Sequence, residues 1–244
     1  MAYHEMINKL AKALASTLGV VFLQPAQAEE PKVEQVIARH LEAIGGIAAN
    51  RKLKTRKTAG TMVIAALGTP WKMTVIQQAP DKKFSRVDIP DAGPVLEGCD
   101  GTMAWKKEPG QALRKIAGQE LVGKLSDARF HGMLELMTEG NLSYLKRAKV
   151  QGRMCHVLKG PVNGIQVSID EASHLLRAIA LPGAGGGESP GITIHLSEYR
   201  KVDGVQVSFA MSMSVGPDPL LKMTFDKVTH GVDVDAAIFA PPAE

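Results

Sequence analysis

Between Val205 and Val215, apolar and polar residues alternate without a break. Val205, Val207, Phe209, Met211, Met213 and Val215 fall on one set of positions, and Gln206, Ser208, Ala210, Ser212 and Ser214 on the other. A period of two sends successive side chains to opposite faces of a strand, so this segment predicts a long strand with one wholly apolar face. Ile192, Ile194 and Leu196 repeat the pattern, as do Ile165, Val167 and Ile169, and Trp71, Met73 and Val75. The same period predicts strands over 58–67, 71–78, 83–89, 94–99 and 102–107 in the first half of the chain. In the second half it predicts 142–150, 153–159, 164–169, 175–181, 191–199, 205–215 and 220–229. Turn-forming residues separate them: Gly68-Thr69-Pro70, Ala79-Pro80-Asp81, Asp100-Gly101, Asp203-Gly204 and Gly216-Pro217-Asp218-Pro219. Asp-Gly between two strands is a strong hairpin signal, because both central residues of the tight turn need positive φ.

The period changes twice. Val33, Val36, Ile37, His40, Leu41 and Ile44 recur at three-and-four spacing, which predicts a helix over 31–44, with Pro31 in its first turn and Gly45-Gly46 stopping it. A second short helical turn fits 47–53. Over 119–137 the residues Leu121, Val122, Leu125, Phe130, Met133, Leu134 and Met137 predict one or two short helices. A sheet with one oily face must cover that face. Either a closed barrel with a packed lumen or a curved half-barrel lidded by these helices does so. The strand faces nominate cavity-lining residues Trp71, Met73, Val75, Ile192, Ile194, Val207, Phe209, Met211 and Met213. The helices nominate lid residues Leu41, Ile44, Leu121, Leu125 and Phe130. Aromatic residues are only 5% of the chain, whereas it holds 11 methionines, whose flexible thioethers suit a surface that repacks around varied apolar partners.

The N-terminus sets the compartment. Lys9 and Lys12 precede an uncharged run over 13–23, and Ala26-Gln27-Ala28 follows. A basic segment, a short apolar segment and an A-x-A site read as a secretory signal peptide cut after Ala28, and the apolar run is too short to span a bilayer. The expected mature chain, 29–244, forms a single domain outside the inner membrane. There Cys99 and Cys155 are able to pair, although their spacing does not decide it and matches no metal motif. The net charge of +4 falls to +3 on loss of Glu5, Lys9 and Lys12, too small a surplus to argue for nucleic acid. The basic cluster Arg51-Lys52-Leu53-Lys54-Thr55-Arg56-Lys57 reads as a solvated helix-to-strand junction, with contact to acidic lipid or a partner as the alternative.

Enzyme signatures are absent. The chain has no G-x-S-x-G and no H-E-x-x-H, and His40, His131, His156, His174, His195 and His230 are isolated in sequence. The glycine-rich piece over 183–191 places Glu188 where the third glycine of a dinucleotide loop belongs, and a strand rather than a helix follows it. These residues predict a binding protein rather than an enzyme, with no cofactor and no metal.

Several segments in order carry a family resemblance. They are the helix over 33–44 ending in Gly45-Gly46, Lys57-Thr58-Ala59-Gly60-Thr61, Ala79-Pro80-Asp81-Lys82 and Gly98-Cys99-Asp100-Gly101-Thr102-Met103-Ala104-Trp105. Ser197-Glu198-Tyr199-Arg200-Lys201-Val202-Asp203-Gly204-Val205 and a closing Ile238-Phe239-Ala240-Pro241-Pro242 follow. In order and spacing the chain resembles the outer-membrane lipoprotein-sorting (LolA-like) family of periplasmic carriers. The resemblance implies an α+β fold: a curved antiparallel half-barrel of about 11 or 12 strands, with the N-terminal helix and the helical insert covering its concave face. It implies a monomeric carrier that binds acyl chains of lipoproteins or lipids in a hydrophobic cavity and shuttles them between donor and acceptor proteins toward the outer membrane. A module of the same fold that binds a protein partner, for envelope assembly or sensing, is the alternative. The family's cargo-gating residues match no position here, and Cys99 stands where relatives carry an aromatic residue.

Overall fold

The structure, a computed structural model, describes residues 31–161, 164–183 and 191–242. The expected signal peptide and its cleavage site lie outside the described residues, as does most of the glycine-rich piece. Helix α1 (Val33–Ala43) and the short α2 (Ile47–Lys52) lead into β1 (Thr55–Ile64), β2 (Pro70–Gln78), β3 (Lys82–Ile89), β4 (Gly93–Cys99), β5 (Ala104–Lys107) and β6 (Arg114–Ile116). Helices α3 (Gly118–Ala128) and α4 (Gly132–Glu139) form the insert. Then come β7 (Ser143–Val150), β8 (Arg153–Lys159), β9 (Gln166–Asp170), β10 (Leu176–Leu181), β11 (Ile192–Val202), β12 (Val205–Val215) and β13 (Asp218–His230), before a 3-10 turn at Ala236–Phe239.

All strands belong to one 13-stranded antiparallel sheet, in the order β6-β5-β4-β3-β2-β1-β13-β12-β11-β10-β9-β8-β7. Every neighbouring pair is consecutive in the chain except β1 and β13, which join the two halves. The sheet is open, with β6 and β7 as its edges. The count exceeds the expected 11 or 12 because β6, only three residues long, is too short to show alternation. Asp203 and Gly204 both take positive φ, as a tight hairpin between β11 and β12 requires. At the other Asp-Gly pair only Gly101 does so. There the Asp100 carboxylate accepts from the Thr102 and Met103 backbone amides and turns the chain by side-chain capping.

Register assigns the two faces. Arg56, Thr58, Gly60 and Met62 of β1 oppose Gln77, Val75, Met73 and Trp71 of β2, and the series continues through Val87 and Val95. All three longer helices lie on this face. Val36 of α1 and Met137 of α4 join Leu158, Val167, Ile169, Leu176 and Leu196 in one buried cluster. Ala128 of α3 joins Cys99, Ala104 and Ile116 in another. Cys99 and Cys155 are therefore not a disulfide: both are buried free thiols, on β4 and β8, in opposite halves of the strand order.

The opposite face is sealed at β3–β5 by the chain's last turn. Phe84, Gly98 and Trp105 align across three strands. The Trp105 indole, 1% exposed, packs over Gly98, where an added Cβ would lie 2.3 Å from the indole Nε1. That Nε1 donates to the Phe239 carbonyl at 2.8 Å, and Phe239 is itself fully buried. Truncating either ring leaves a cavity, so Trp105→Ala and Phe239→Ala should each cost about 3–5 kcal/mol in chemical denaturation. A loss under about 1 kcal/mol would show that the last turn does not seal this face.

A second anchor is the turn between β9 and β10. Asp170, 1% exposed, accepts from the backbone amides of Ala172 and Ser173, the Ser173 hydroxyl and Arg153 Nε, at 2.8–3.0 Å. Burial alone would raise its pKa, but these hydrogen bonds outweigh it and hold the carboxyl below the usual range. A depressed folded pKa gives stability that is present above about pH 4 and lost as pH falls through the folded value. Asp170→Asn should cost about 1–3 kcal/mol at pH 7 and flatten the acid limb of a stability–pH curve. An unchanged limb would contradict the assignment.

Candidate functional site

One end of the helix-covered face keeps a hollow of about 250 Å³. Its floor is built where β1 begins and β13 ends, with Arg56 and His230 directly opposed, and from 205–208 of β12. Ile44 follows α1, and Asn50 and Leu53 come from α2 and the residue after it. Phe130 and His131 link α3 to α4, and Met133, Leu134 and Met137 of α4 close the far side. Leu176, Leu196 and Tyr199 complete the lining. The volume lies below the ~300–1,000 Å³ of usual small-molecule sites, so a long ligand requires the helices to give way.

The polar groups here are few and specifically held. His40, turned inward on α1, hydrogen-bonds through Nδ1 to the His174 carbonyl at 2.8 Å. Burial holds its pKa below the usual histidine value, against the opposing effect of that hydrogen bond. The ring is thus neutral at pH 7, with the proton on Nδ1 assigned from the carbonyl it faces. Tyr199 donates to the Leu176 carbonyl at 2.7 Å, and burial pushes its phenol well above the usual range. Arg56 donates from Nε and Nη2 to Gln77 Oε1, and its guanidinium carbon lies 5.3 Å from the centre of the Phe130 ring.

The residues nominated from sequence are distributed along the same face. Val207, Ile44 and Phe130 line the hollow. Leu41 and Met211 pack against the α1–α4 cluster, and Leu121 and Leu125 against the α3 cluster. Met73 is buried. Trp71, Val75, Ile194 and Met213 are half-buried, and Ile192 is exposed. Phe209 is buried, with the Arg200 guanidinium 4.3 Å above its ring, and does not line the hollow. Alternation shifts beside it: Leu196 and Tyr199 both reach the α1–α4 cluster although three positions apart, and the intervening Glu198 takes φ +53°. Arg56, His131 and His230 escape a search for local motifs. The signal for Arg56 is period-two continuity, because Arg56 precedes Thr58, Gly60 and Met62 on one face, although in sequence it sits within a basic run.

A second depression, about 480 Å³ and lined by Pro80, Asp81, Gly101, Leu125, Ser126, Arg129 and Glu135, is largely polar. Among the described residues no group of three or more His, Cys, Asp or Glu is placed to hold a metal ion, and no helix is long and apolar enough to cross a membrane.

No protein-family model matches the chain. No curated protein matches it in sequence. Solved structures match it in fold. A domain described as an outer membrane lipoprotein-sorting protein from Vibrio parahaemolyticus superposes with TM-score 0.60 at 13% identity, over 85% of this chain and 97% of that one. A DUF1329 family protein from Desulfovibrio piger gives 0.58 at 12%, over 85% and 97%. A LolA superfamily protein from Nitrosomonas europaea gives 0.55 at 12%, over 86% and 99%. The chain thus has the open antiparallel fold of the LolA-like lipoprotein-sorting proteins.

His40 supplies a test of how α1 is held. A histidine whose folded pKa is depressed gives stability that is intact above its unfolded pKa of about 6.5 and is lost as pH falls through the folded value. Melting temperature should therefore drop between pH 7 and pH 5, and His40→Gln, which cannot titrate, should make that drop shallower. Equal slopes in both proteins would contradict the assignment.

Proposed function

We propose that this protein is an exported carrier, working in the periplasm, that holds acyl chains of lipids or lipoproteins against the apolar face of its sheet and moves them toward the outer membrane. The observation that carries the proposal is the extent of that face. Beyond the hollow it continues through Met62, Trp71, Met213, Met223 and Ile194, which are half-buried and belong to neither helix-covered cluster. The export-like N-terminal sequence and the shared fold support the same reading.

Magnitudes are compatible with reversible loading. Burying a methylene contributes ~0.8 kcal/mol, so a chain of about 16 carbons gains roughly 10 kcal/mol before ordering costs. Against this, α1 commits Val36 and His40 to full burial, α4 Leu134 and Met137, and α3 Ala128. An apolar side chain is worth ~1.5–3 kcal/mol when fully buried, and half-buried neighbours such as Val33, Ile37 and Leu41 add to that. Lifting a helix and docking a chain are of one order, which permits uptake and release without a catalytic group.

A protein-binding module is favoured by one observation, the small volume of the hollow. The two readings part on uptake of a fluorescent fatty acid. A carrier should bind it, and Met211→Asp or Met213→Asp should weaken binding at least about tenfold by placing a charge where the chain lies. No uptake by the unmodified protein, with cross-linking to one protein partner instead, would favour the module. Unchanged affinity in both variants would show that the chain does not lie on this face.

A further inference from the structure

Where β1 begins, the hollow is lined by the guanidinium of Arg56, and the carboxylate at this end, Asp203, faces His230 rather than Arg56. Arg56 has a single side-chain acceptor, Gln77 Oε1, and makes no ion pair among the described residues. The lining contains no aspartate and no glutamate. Burial pulls the Arg56 pKa down, and no neighbouring carboxylate opposes it. Directly across on β13, the His230 side chain is 3% exposed, with Nδ1 3.1 Å from Asp203 Oδ2 and Nε2 buried without a hydrogen-bond partner among the described residues. His131 Nε2 is likewise buried and unpartnered, while its ring stands edge-on to Phe130 at 4.9 Å, beside the face on which Arg56 stacks.

Desolvating a guanidinium without a counter-charge is costly, and leaving buried polar atoms unpaired adds to the cost. A site of this kind is completed by an anion. The planar fork of Arg56 keeps Nη1 without an acceptor among the described residues and suits carboxylate or phosphate oxygens. The imidazole of His230 is steadied at Nδ1 by Asp203, and its Nε2 meets no hydrogen-bond partner among the described residues. Geometry supplies a place for the rest of such a ligand. Arg56, Thr58, Gly60, Met62 and Ile64 share one face of β1, polar at one end, small in the middle and apolar at the other. That run spans roughly 27 Å at strand rise, more than the ~15 Å that an acyl chain occupies in one leaflet.

We propose that Arg56, at the end of the hollow where His131 and His230 also lie, forms a headgroup site for an anionic amphiphile, whose carboxylate or phosphate sits on the guanidinium and whose tail runs toward Met62. This inference rests on the acyl-chain reading above and narrows it. The acyl chains of a lipoprotein, joined through neutral amide and ester bonds, bring no charge to this end, whereas an ionised fatty acid or a lysophosphatidate does.

The test is competitive displacement of a fluorescent fatty acid at pH 7 and 0.15 M salt, using oleate, oleoyl lysophosphatidate and the uncharged oleamide below their aggregation limits. The unmodified protein should bind one or both anions about ten- to hundredfold more tightly than oleamide, the span expected for a charged hydrogen-bonded contact. The tighter anion assigns the headgroup. Arg56→Met should bring the anions close to oleamide by weakening the anions about ten- to hundredfold more than it weakens oleamide. Equal binding of all three by the unmodified protein overturns the headgroup site whatever the variant does. An equal loss for anions and oleamide in Arg56→Met assigns that residue a structural role and also overturns it. If none of the three displaces the probe, or the probe itself does not bind, the acyl-chain reading fails and the headgroup site fails with it.

Discussion

An open sheet of thirteen strands has an apolar face that water must not reach, and most of this chain's architecture answers that constraint. Strand alternation creates the face, and a single long-range pairing, β1 with β13, joins its two halves. Three helices are then laid on it, in two clusters rather than one continuous layer. The hollow lies where α1, α2, α4 and the link after α3 meet over β1, β12 and β13. It is a by-product of covering a wide sheet with short helices, and each of those helices is held by few fully buried side chains.

The two faces are treated differently. On the reverse side the cover is short and rigid: Trp105, Gly98 and Phe239 interlock through close packing and one buried hydrogen bond. Asp170 fixes a turn at the other end of the sheet with a fully satisfied carboxylate. On the helix side the contacts are aliphatic side chains and methionines, with a neutral histidine at a backbone carbonyl. A tightly packed reverse side beneath helices held by few fully buried side chains is compatible with the proposed carrier.

Much of this was legible in the sequence, because alternation is a local property. The long strands from Trp71 to Gln78 and from Val205 to Val215, and the helix that begins near Val33, follow from spacing alone. What spacing could not supply is long-range or locally irregular. β6 has three residues and no period to read. Glu198, in a left-handed conformation, shifts the pattern within β11, and Phe209 is covered by Arg200 rather than lining the hollow. Arg56 is masked by the basic residues around it, and its pairing with Gln77 and His230 settles the inward direction that its phase with Thr58 and Gly60 signals only weakly. The Trp105–Phe239 contact joins residues more than a hundred positions apart.

Native mass spectrometry of the protein recovered from an exporting cell without detergent tests the central claim most directly. The account predicts a population heavier than the polypeptide by the mass of an acyl lipid, converted to the bare mass by organic extraction and restored by adding the extract back. A bare mass in every preparation, with no adduct after exposure to the cell's own lipids, would contradict it.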